Sequence, residues 1–162
     1  MNPNKIKIGI DFGKTIGLIE NDSPYPDCIS TISFLKNKFG SENIYIISKA
    51  KKEMSDKITS WLNRINFYER TSFLKDNVIF CENYSDKAKI VEKLKINVFI
   101  DDHIKVIQSM ILLKQIKLII WFNKNVDIKL IEKKFRKNIY ITTKWSSIIK
   151  IIKTTCLVDQ EL

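Results

Sequence analysis

The sequence predicts a three-layer α/β/α fold in which helices cover both faces of a parallel β-sheet. Short apolar runs rich in β-branched residues alternate with longer segments whose apolar residues recur at helical spacing. The short runs lack polar alternation, which is typical of parallel strands buried on both faces. No proline follows Pro26, so none interrupts the later elements. This order implies right-handed crossovers and predicts a sheet of about five strands.

The candidate elements follow each other regularly along the chain. The strand-like runs are Ile6–Ile10, Ile44–Ile47, Val78–Cys81, Val98–Ile100, Leu118–Phe122 and Ile139–Ile141. The helix candidates are Cys28–Phe39, Lys51–Ile65, Ser85–Leu94, His103–Leu113, Val126–Phe135 and Trp145–Ile152. Gly40 is the expected C-cap of the first helix, and Ser85 is the expected N-cap of the third. In such sheets ligands bind at the carboxyl ends of the strands.

Length and composition favour a single domain covering residues 1–162. The chain is 44% hydrophobic, has no apolar run of membrane-spanning length and shows no signal-peptide pattern, so no membrane association is expected. Cys28, Cys81 and Cys156 lack metal-binding spacing and are expected to be buried thiols, which favours a cytoplasmic location. The net charge of +10 favours anionic partners, but the basic residues are dispersed lysines. The charge is therefore compatible with nucleic acid as a partner but does not by itself indicate one.

Polar residues follow three of the predicted strands. Asp11 comes directly after the first strand, within Asp11-Phe12-Gly13-Lys14-Thr15, and Ser48 ends the second. The paired acids Asp101 and Asp102 end the fourth, where a Mg²⁺ ion would relieve their mutual repulsion. Taken alone, Asp11 could instead cap a tight turn, and Ser48 could be an ordinary helix N-cap. Asp101 and Asp102 could be solvated acids at the start of a helix. Lys87 or Lys89, upstream of the acid pair, could likewise be an ordinary surface lysine.

In this order, the four features resemble the four motifs of the haloacid dehalogenase (HAD) superfamily. Asp11-Phe12-Gly13-Lys14-Thr15 is similar to the first motif, Ser48 to the second, Lys87 (or Lys89) to the third, and Asp101-Asp102 to the fourth. The resemblance covers about Lys5 to Phe122, and the tail is similar to that of capless nucleotidase-like members. It implies a HAD-like, Rossmann-type parallel sheet without a cap domain, and a phosphatase activity.

The resemblance also implies a role for each residue. Asp11 is expected to attack phosphorus and form an aspartyl-phosphate that water then hydrolyses. Mg²⁺ is expected to be bound by Asp11, by the Gly13 carbonyl and by Asp101 or Asp102, while Ser48 and Lys87 bind the phosphoryl oxygens. An ammonium group and a divalent cation supply the positive charge that an anionic phosphoryl group requires.

One position departs from the family pattern. Phosphatases of the family usually carry a second aspartate, the general acid–base, where this chain has Gly13. The metal contact uses a backbone carbonyl and survives, but the proton donor is lost, which typically costs about 10²–10⁴-fold in rate. Lys14, His103 or the substrate could replace it. The sequence therefore leaves two interpretations: a specialised phosphatase, or a non-catalytic module that binds phosphate and metal.

The connections after Asp11 and Ser48 are too short for a cap domain. We therefore expect an open site that accepts a bulky phosphorylated substrate, including a macromolecular one. The segment Ile8–Thr15 also resembles the first phosphate loop of actin-like and Hsp70-like ATPases. That fold requires a second related domain and a second glycine-rich loop, and the chain has no glycine after Gly40.

Overall fold

The computed structural model describes residues 6–156 as a parallel sheet covered by helices on both faces. Its strands are β1 (Ile8–Ile10), β2 (Ile44–Lys49), β3 (Val78–Cys81), β4 (Val98–Asp101), β5 (Leu118–Trp121) and β6 (Ile139–Ile141). Its helices are α1 (Cys28–Phe39), α2 (Lys52–Arg64), α3 (Phe67–Thr71), α4 (Tyr84–Lys93), α5 (Ile104–Met110) and α6 (Trp145–Cys156). The predicted three-layer α/β/α class is confirmed.

The strand order places a topological switch at the centre of the sheet. The six strands lie in the order β3-β2-β1-β4-β5-β6, and every pairing is parallel. Ile8 of β1 is in register with Ile44 on one side and Val98 on the other. The chain thus winds outward from β1 to β3 and then returns to β4. Loops that leave β1 and β4 diverge, which opens a crevice where ligands bind in folds of this type.

Two apolar cores pack against the two faces of the sheet. Ile44 and Ile46 of β2 belong to one core, whereas Tyr45 and Ile47 belong to the other, as expected for side chains that alternate along a strand. The first core includes residues of α1, α2 and α6, and the second includes residues of α4 and α5. Burial on both faces explains why the strand sequences are continuously apolar.

A close approach within the sheet depends on Gly9. A Cβ atom at this position would lie 2.5 Å from the Phe99 ring on β4. The Phe99 ring can therefore lie across β1 only because Gly9 has no side chain. The same ring lies 5.9 Å below the ammonium of Lys87, so Gly9 indirectly makes room for a candidate site residue.

One helix prediction was wrong, whereas all six predicted strand runs lie in the sheet. The sheet thus has six strands where about five were expected, with Ile139–Ile141 paired to β5 as an edge strand. Val126–Phe135 is not a helix: it has a 3₁₀ turn at Ile128–Leu130, and a second, Lys133–Asn138, begins within it and runs past its end. The Asp127 side chain accepts a hydrogen bond from the Lys129 N–H and closes the first turn, as short polar side chains do outside helices.

Of the smaller predictions, those for Gly40 and the cysteines are confirmed, and the one for Ser85 is wrong. Gly40 ends α1 with φ 90°, as expected of a C-cap glycine, but α4 begins at Tyr84, so Ser85 lies inside the helix. The three cysteines are buried free thiols, as predicted. Within residues 6–156, no helix combines the length and apolar character required to cross a membrane.

The connection between β1 and α1 is an ordered loop fixed by two tryptophans. The Trp145 indole N–H donates to the Thr15 carbonyl at 2.8 Å, and that of Trp61 donates to Asn21 at 2.6 Å. Neither this loop nor the connection from β2 to α4 contains an additional domain. The carboxyl edge of the sheet around β1 is therefore uncapped, as the sequence predicted.

Candidate functional site

Three carboxylates meet where β1 and β4 end. Asp11 directly follows β1, Asp101 is the last residue of β4, and Asp102 follows it. One oxygen from each carboxylate lies within 4.8 Å of the others. The structure therefore brings together the acids that the sequence placed at separate strand ends.

Lys87 lies between two of these acids. Its side chain extends from α4 and is 1% exposed as a residue. Its ammonium donates to Asp11 Oδ1 at 2.6 Å and to Asp101 Oδ2 at 2.8 Å. Lys89, the other lysine considered from the sequence, is exposed and pairs with Asp86 at 3.2 Å. Lys87 is thus the lysine that reaches the site.

Backbone contacts hold the two buried acids in place. The Asp11 N–H donates to the Ile100 carbonyl at 2.8 Å, which continues the pairing of β1 with β4. The His103 N–H donates to Asp101 Oδ1 at 2.8 Å, so both oxygens of that carboxylate have partners. The Asp102 carbonyl accepts from the side chains of Trp121 and Asn123, each at 3.1 Å. These contacts position the carboxylates before any ligand binds.

The site carries excess negative charge. Burial, followed by repulsion from Asp101, raises the pKa of Asp11 to about 7 even though Lys87 opposes the shift. Burial also raises the pKa values of Asp101 and Asp102. Burial would lower the pKa of Lys87, but the charges of Asp11 and Asp101 outweigh it and the pKa is raised. One ammonium group cannot compensate three ionised carboxylates, and the raised pKa values express the cost of ionising all three together.

The donor set fits a hard divalent cation. With all three carboxylates ionised, one ammonium would leave two negative charges, which a divalent ion would balance. Mg²⁺ binds oxygen ligands at about 2.0–2.1 Å, so two of its ligands lie at most about 4.2 Å apart. The observed spacing of up to 4.8 Å requires only a small contraction. Asp11, Asp101 and Asp102 are the residues that would bind the ion, and Gly13, whose carbonyl the resemblance adds to the ligands, borders the same cleft.

All of the predicted site residues border one open cleft of about 220 Å³. The cleft is lined by Asp11, Gly13, Lys14, Ser48, Lys49, Tyr84, Lys87, Asp101, Asp102 and His103. Ser48 is 4% exposed, and its hydroxyl makes no hydrogen bond to any residue in the described range 6–156. A ligand oxygen in the cleft could accept a hydrogen bond from this hydroxyl.

Gly13 lines the cleft without filling it. Apart from its two chain neighbours, a Cβ atom there would have one neighbour within 4 Å among residues 6–156, Asp11 Oδ2 at 4.0 Å. Its φ angle is not positive, whereas that of Lys14 is 55°. The site therefore has space for the side chain that the resemblance leads one to expect at this position.

Sequence reasoning missed an aromatic pair at the rim of the cleft. The Tyr84 and His103 rings stack with centroids 4.5 Å apart, and the Lys49 ammonium lies 4.4 Å from the centroid of Tyr84. His103 Nδ1 accepts from the Lys105 N–H, which leaves Nε2 as the nitrogen able to carry the proton of a neutral ring. The only feature of the sequence that could have indicated this pair is the position of Tyr84, directly before Ser85, the expected helix N-cap.

Comparison with known proteins assigns no family. No protein-family model matches the chain, and no curated protein matches it with significant similarity.

Mg²⁺ is expected to raise the melting temperature by binding the folded protein. At about 100 times Kd the gain is about 2.7 kcal/mol, or about 5–10 °C for a chain of this size. Asp101→Asn combined with Asp102→Asn should abolish the shift in differential scanning fluorimetry. A control with the same charge change, Asp56→Asn with Asp76→Asn on exposed positions, should retain it. A shift that persists in the first double variant would place the Mg²⁺ site elsewhere.

Proposed function

We propose that the protein is a Mg²⁺-dependent, HAD-like phosphatase that acts through an aspartyl-phosphate on Asp11. One observation carries the proposal. Buried Asp11 lies at the topological switch of the sheet, paired with Lys87 and close to Asp101 and Asp102. A nucleophilic carboxylate, an ammonium and a cation site at one strand edge are the groups that phosphoryl transfer requires.

Each residue has a defined part in this reaction. One Asp11 oxygen forms a bond to phosphorus while the bond from phosphorus to the leaving oxygen breaks, and water later cleaves the acyl phosphate. Lys87 and the unpaired Ser48 hydroxyl bind the transferring phosphoryl oxygens. Bound Mg²⁺ would neutralise part of the charge on the phosphoryl group. Lys87 and the His103 N–H hydrogen-bond Asp101 and favour its ionised form, against the burial that raises its pKa.

The cleft favours an accessible phosphate ester. Within residues 6–156 no domain covers the ends of β1 and β2, so the cleft is open there. Exposed Lys14 and Lys49 at its border supply positive charge beyond the buried centre. A phosphate carried by a large molecule, including a macromolecule, can therefore reach Asp11. Nucleic acid remains one such candidate, since the net charge of +10 favours polyanions.

Gly13 gives a specific reason to retain a second function, a non-catalytic module that binds phosphate and metal. The residue at this position cannot donate a proton to a leaving group, and the described part of the cleft is bordered by no carboxylic acid other than Asp11, Asp101 and Asp102, which are assigned to the nucleophile and the metal. Only substrates whose leaving group departs without protonation would then react at a useful rate.

A phosphate-release assay with acetyl phosphate and 4-nitrophenyl phosphate tests the proposal, because neither leaving group needs protonation. We expect Mg²⁺-dependent turnover that Asp11→Asn reduces by at least about 10³-fold, since an amide cannot form the acyl phosphate. Asp56→Asn, a distant exposed control, should retain full activity. A folded wild-type protein that binds vanadate with Mg²⁺ but hydrolyses neither compound would establish the non-catalytic module instead.

A further inference from the structure

A second cavity adjoins the catalytic cleft on the β5 side. This lateral cavity has a volume of about 470 Å³ and a largely apolar wall formed by Leu18, Tyr25, Pro26 and Phe122. The rings of Tyr25 and Phe122 lie 6.3 Å apart between centroids, with 32° between their planes. Phe122 in turn packs on Trp145 at 5.7 Å, so its position is fixed by the core. An apolar cavity with aromatic walls is suited to a hydrophobic or aromatic group.

The lateral cavity and the catalytic cleft share part of their lining. Lys14 and Asp102 border both. A molecule whose phosphoryl group meets Asp11 can therefore extend past Lys14 and Asp102 into the lateral cavity. The part that lies there is the leaving group, because it is attached to phosphorus on the side away from the buried centre.

From this continuity we infer that the lateral cavity binds an aromatic leaving group, and that the substrate is the phosphate monoester of a phenol. The inference rests on the proposed phosphatase function and specifies its substrate class. The apolar wall provides contacts for a planar ring, whereas a small sugar phosphate would leave that wall without a partner. Such an ester could be a free aryl phosphate or a phosphotyrosine side chain.

The absence of an acid at Gly13 supports the same substrate class independently. A phenol has a pKa of about 10, so its anion leaves far more readily than an alkoxide does. In the proposed step, Asp11 forms the bond to phosphorus, the bond from phosphorus to the aryl oxygen breaks, and the electron pair stays on that oxygen. The phenolate then takes a proton from water. The Lys14 ammonium, which borders both cavities, is placed to offset the phenolate charge.

Binding of two phosphonates tests the inference without requiring turnover. Phenylphosphonate and methylphosphonate carry the same anionic group, but only the first has a ring. With Mg²⁺ present, the wild-type protein is expected to bind phenylphosphonate at least about tenfold more tightly, since even one methylene in an apolar pocket is worth about tenfold or more. Leu18→Ser should remove most of this preference, as measured by isothermal titration calorimetry.

Leu112→Ser is the matched control, because Leu112 is 70% exposed and does not border either cavity. It should retain the wild-type preference. Equal affinity for the two phosphonates, or an unchanged preference in Leu18→Ser, would overturn the inference whether or not the protein is catalytic. If the ring preference is found but no phosphate ester is hydrolysed, the proposed phosphatase function fails while the aromatic site stands.

A kinetic comparison separates the two sources of the aryl phosphate. Phenyl phosphate and a short phosphotyrosine peptide should both be hydrolysed, and the phosphoserine version of the peptide should show a higher KM as well as a lower kcat. A higher kcat/KM for the peptide indicates a protein substrate, and a higher value for phenyl phosphate indicates a small molecule. Equal KM values for the phosphotyrosine and phosphoserine peptides would contradict a ring-binding cavity.

Discussion

Gly13→Asp is expected to increase the hydrolysis of an alkyl phosphate, such as glycerol 2-phosphate, by about 10²–10⁴-fold in kcat/KM. The gain arises because an alkoxide leaving group requires a proton and the wild-type residue has none to give. Hydrolysis of 4-nitrophenyl phosphate should change much less, since its leaving group departs as an anion. Steady-state measurement of both substrates with saturating Mg²⁺ checks the expectation.

The structure indicates that aspartate is tolerated at this position. Gly13 does not have a positive φ, and, apart from its two chain neighbours, Asp11 Oδ2 at 4.0 Å is the only atom of residues 6–156 within 4 Å of a Cβ added there. The new carboxyl group would therefore enter the open cleft rather than the core. Its proximity to Asp11, and to Asp101 beyond it, would raise its pKa by repulsion and favour the protonated form that an acid catalyst requires.

Gly13→Asn is the control for this experiment, because asparagine has the size of aspartate but donates no proton to a leaving alkoxide. It should leave the alkyl phosphate nearly unreactive. Adding Asp11→Asn to Gly13→Asp should remove all activity. A rise of equal size for both substrates, or an equal rise with asparagine, would show that proton donation is not what the wild-type site lacks.

The location of the site could be predicted because it depends on local signals. Asp11, Ser48 and Asp101 each follow a short apolar run, and parallel strands bring such positions to one edge of the sheet. The strand runs themselves were recognisable because burial on both faces leaves no polar alternation. The identity of Lys87 was less certain, since both lysines of Asp86-Lys87-Ala88-Lys89 lie on the same helix and only helix orientation decides which one is buried.

What the sequence could not predict depends on contacts between distant segments. The lateral cavity combines Leu18 and Tyr25 of the first loop with Phe122 after β5, and no spacing links these positions. The segment Val126–Phe135 has helical periodicity, but its apolar residues pack on the second core from a non-helical backbone. Ile131 is buried there, Val126, Ile128 and Phe135 are partly buried, and the Arg136 side chain donates to the Ile131 carbonyl. Tertiary burial there outweighs the weak helix propensity of a short segment.

Lys87→Met is expected to cost stability and activity together. At pH 8 without Mg²⁺, the free energy of unfolding should fall by about 3–5 kcal/mol, because removing one partner leaves buried charges uncompensated. Phosphate release should fall by about 10²–10³-fold, the usual effect of losing one group that stabilises transition-state charge. Urea unfolding and the acetyl phosphate assay measure the two effects.

The loss of stability should depend on pH in a defined direction. Asp11 already has a folded-state pKa of about 7, above its ordinary value of 3.8, mainly through burial and then through Asp101. The folded state therefore binds more protons than the unfolded state, so this group's contribution to stability falls as the pH rises between those two values. Without Lys87, the pKa values of Asp11 and Asp101 rise further. The difference between variant and wild type should be small at pH 5 and larger at pH 8.

Lys89→Met is the matched control, since it removes the same charge two residues away, from an exposed lysine paired with Asp86. Solvent screens exposed pairs of this kind, so little change in stability is expected. Mg²⁺ should stabilise Lys87→Met more than it stabilises the wild type, because the cation then replaces the ammonium as the only positive charge beside Asp11 and Asp101. An equal Mg²⁺ effect in both proteins would show that the cation does not bind beside these carboxylates, and the metal assignment would fail with it.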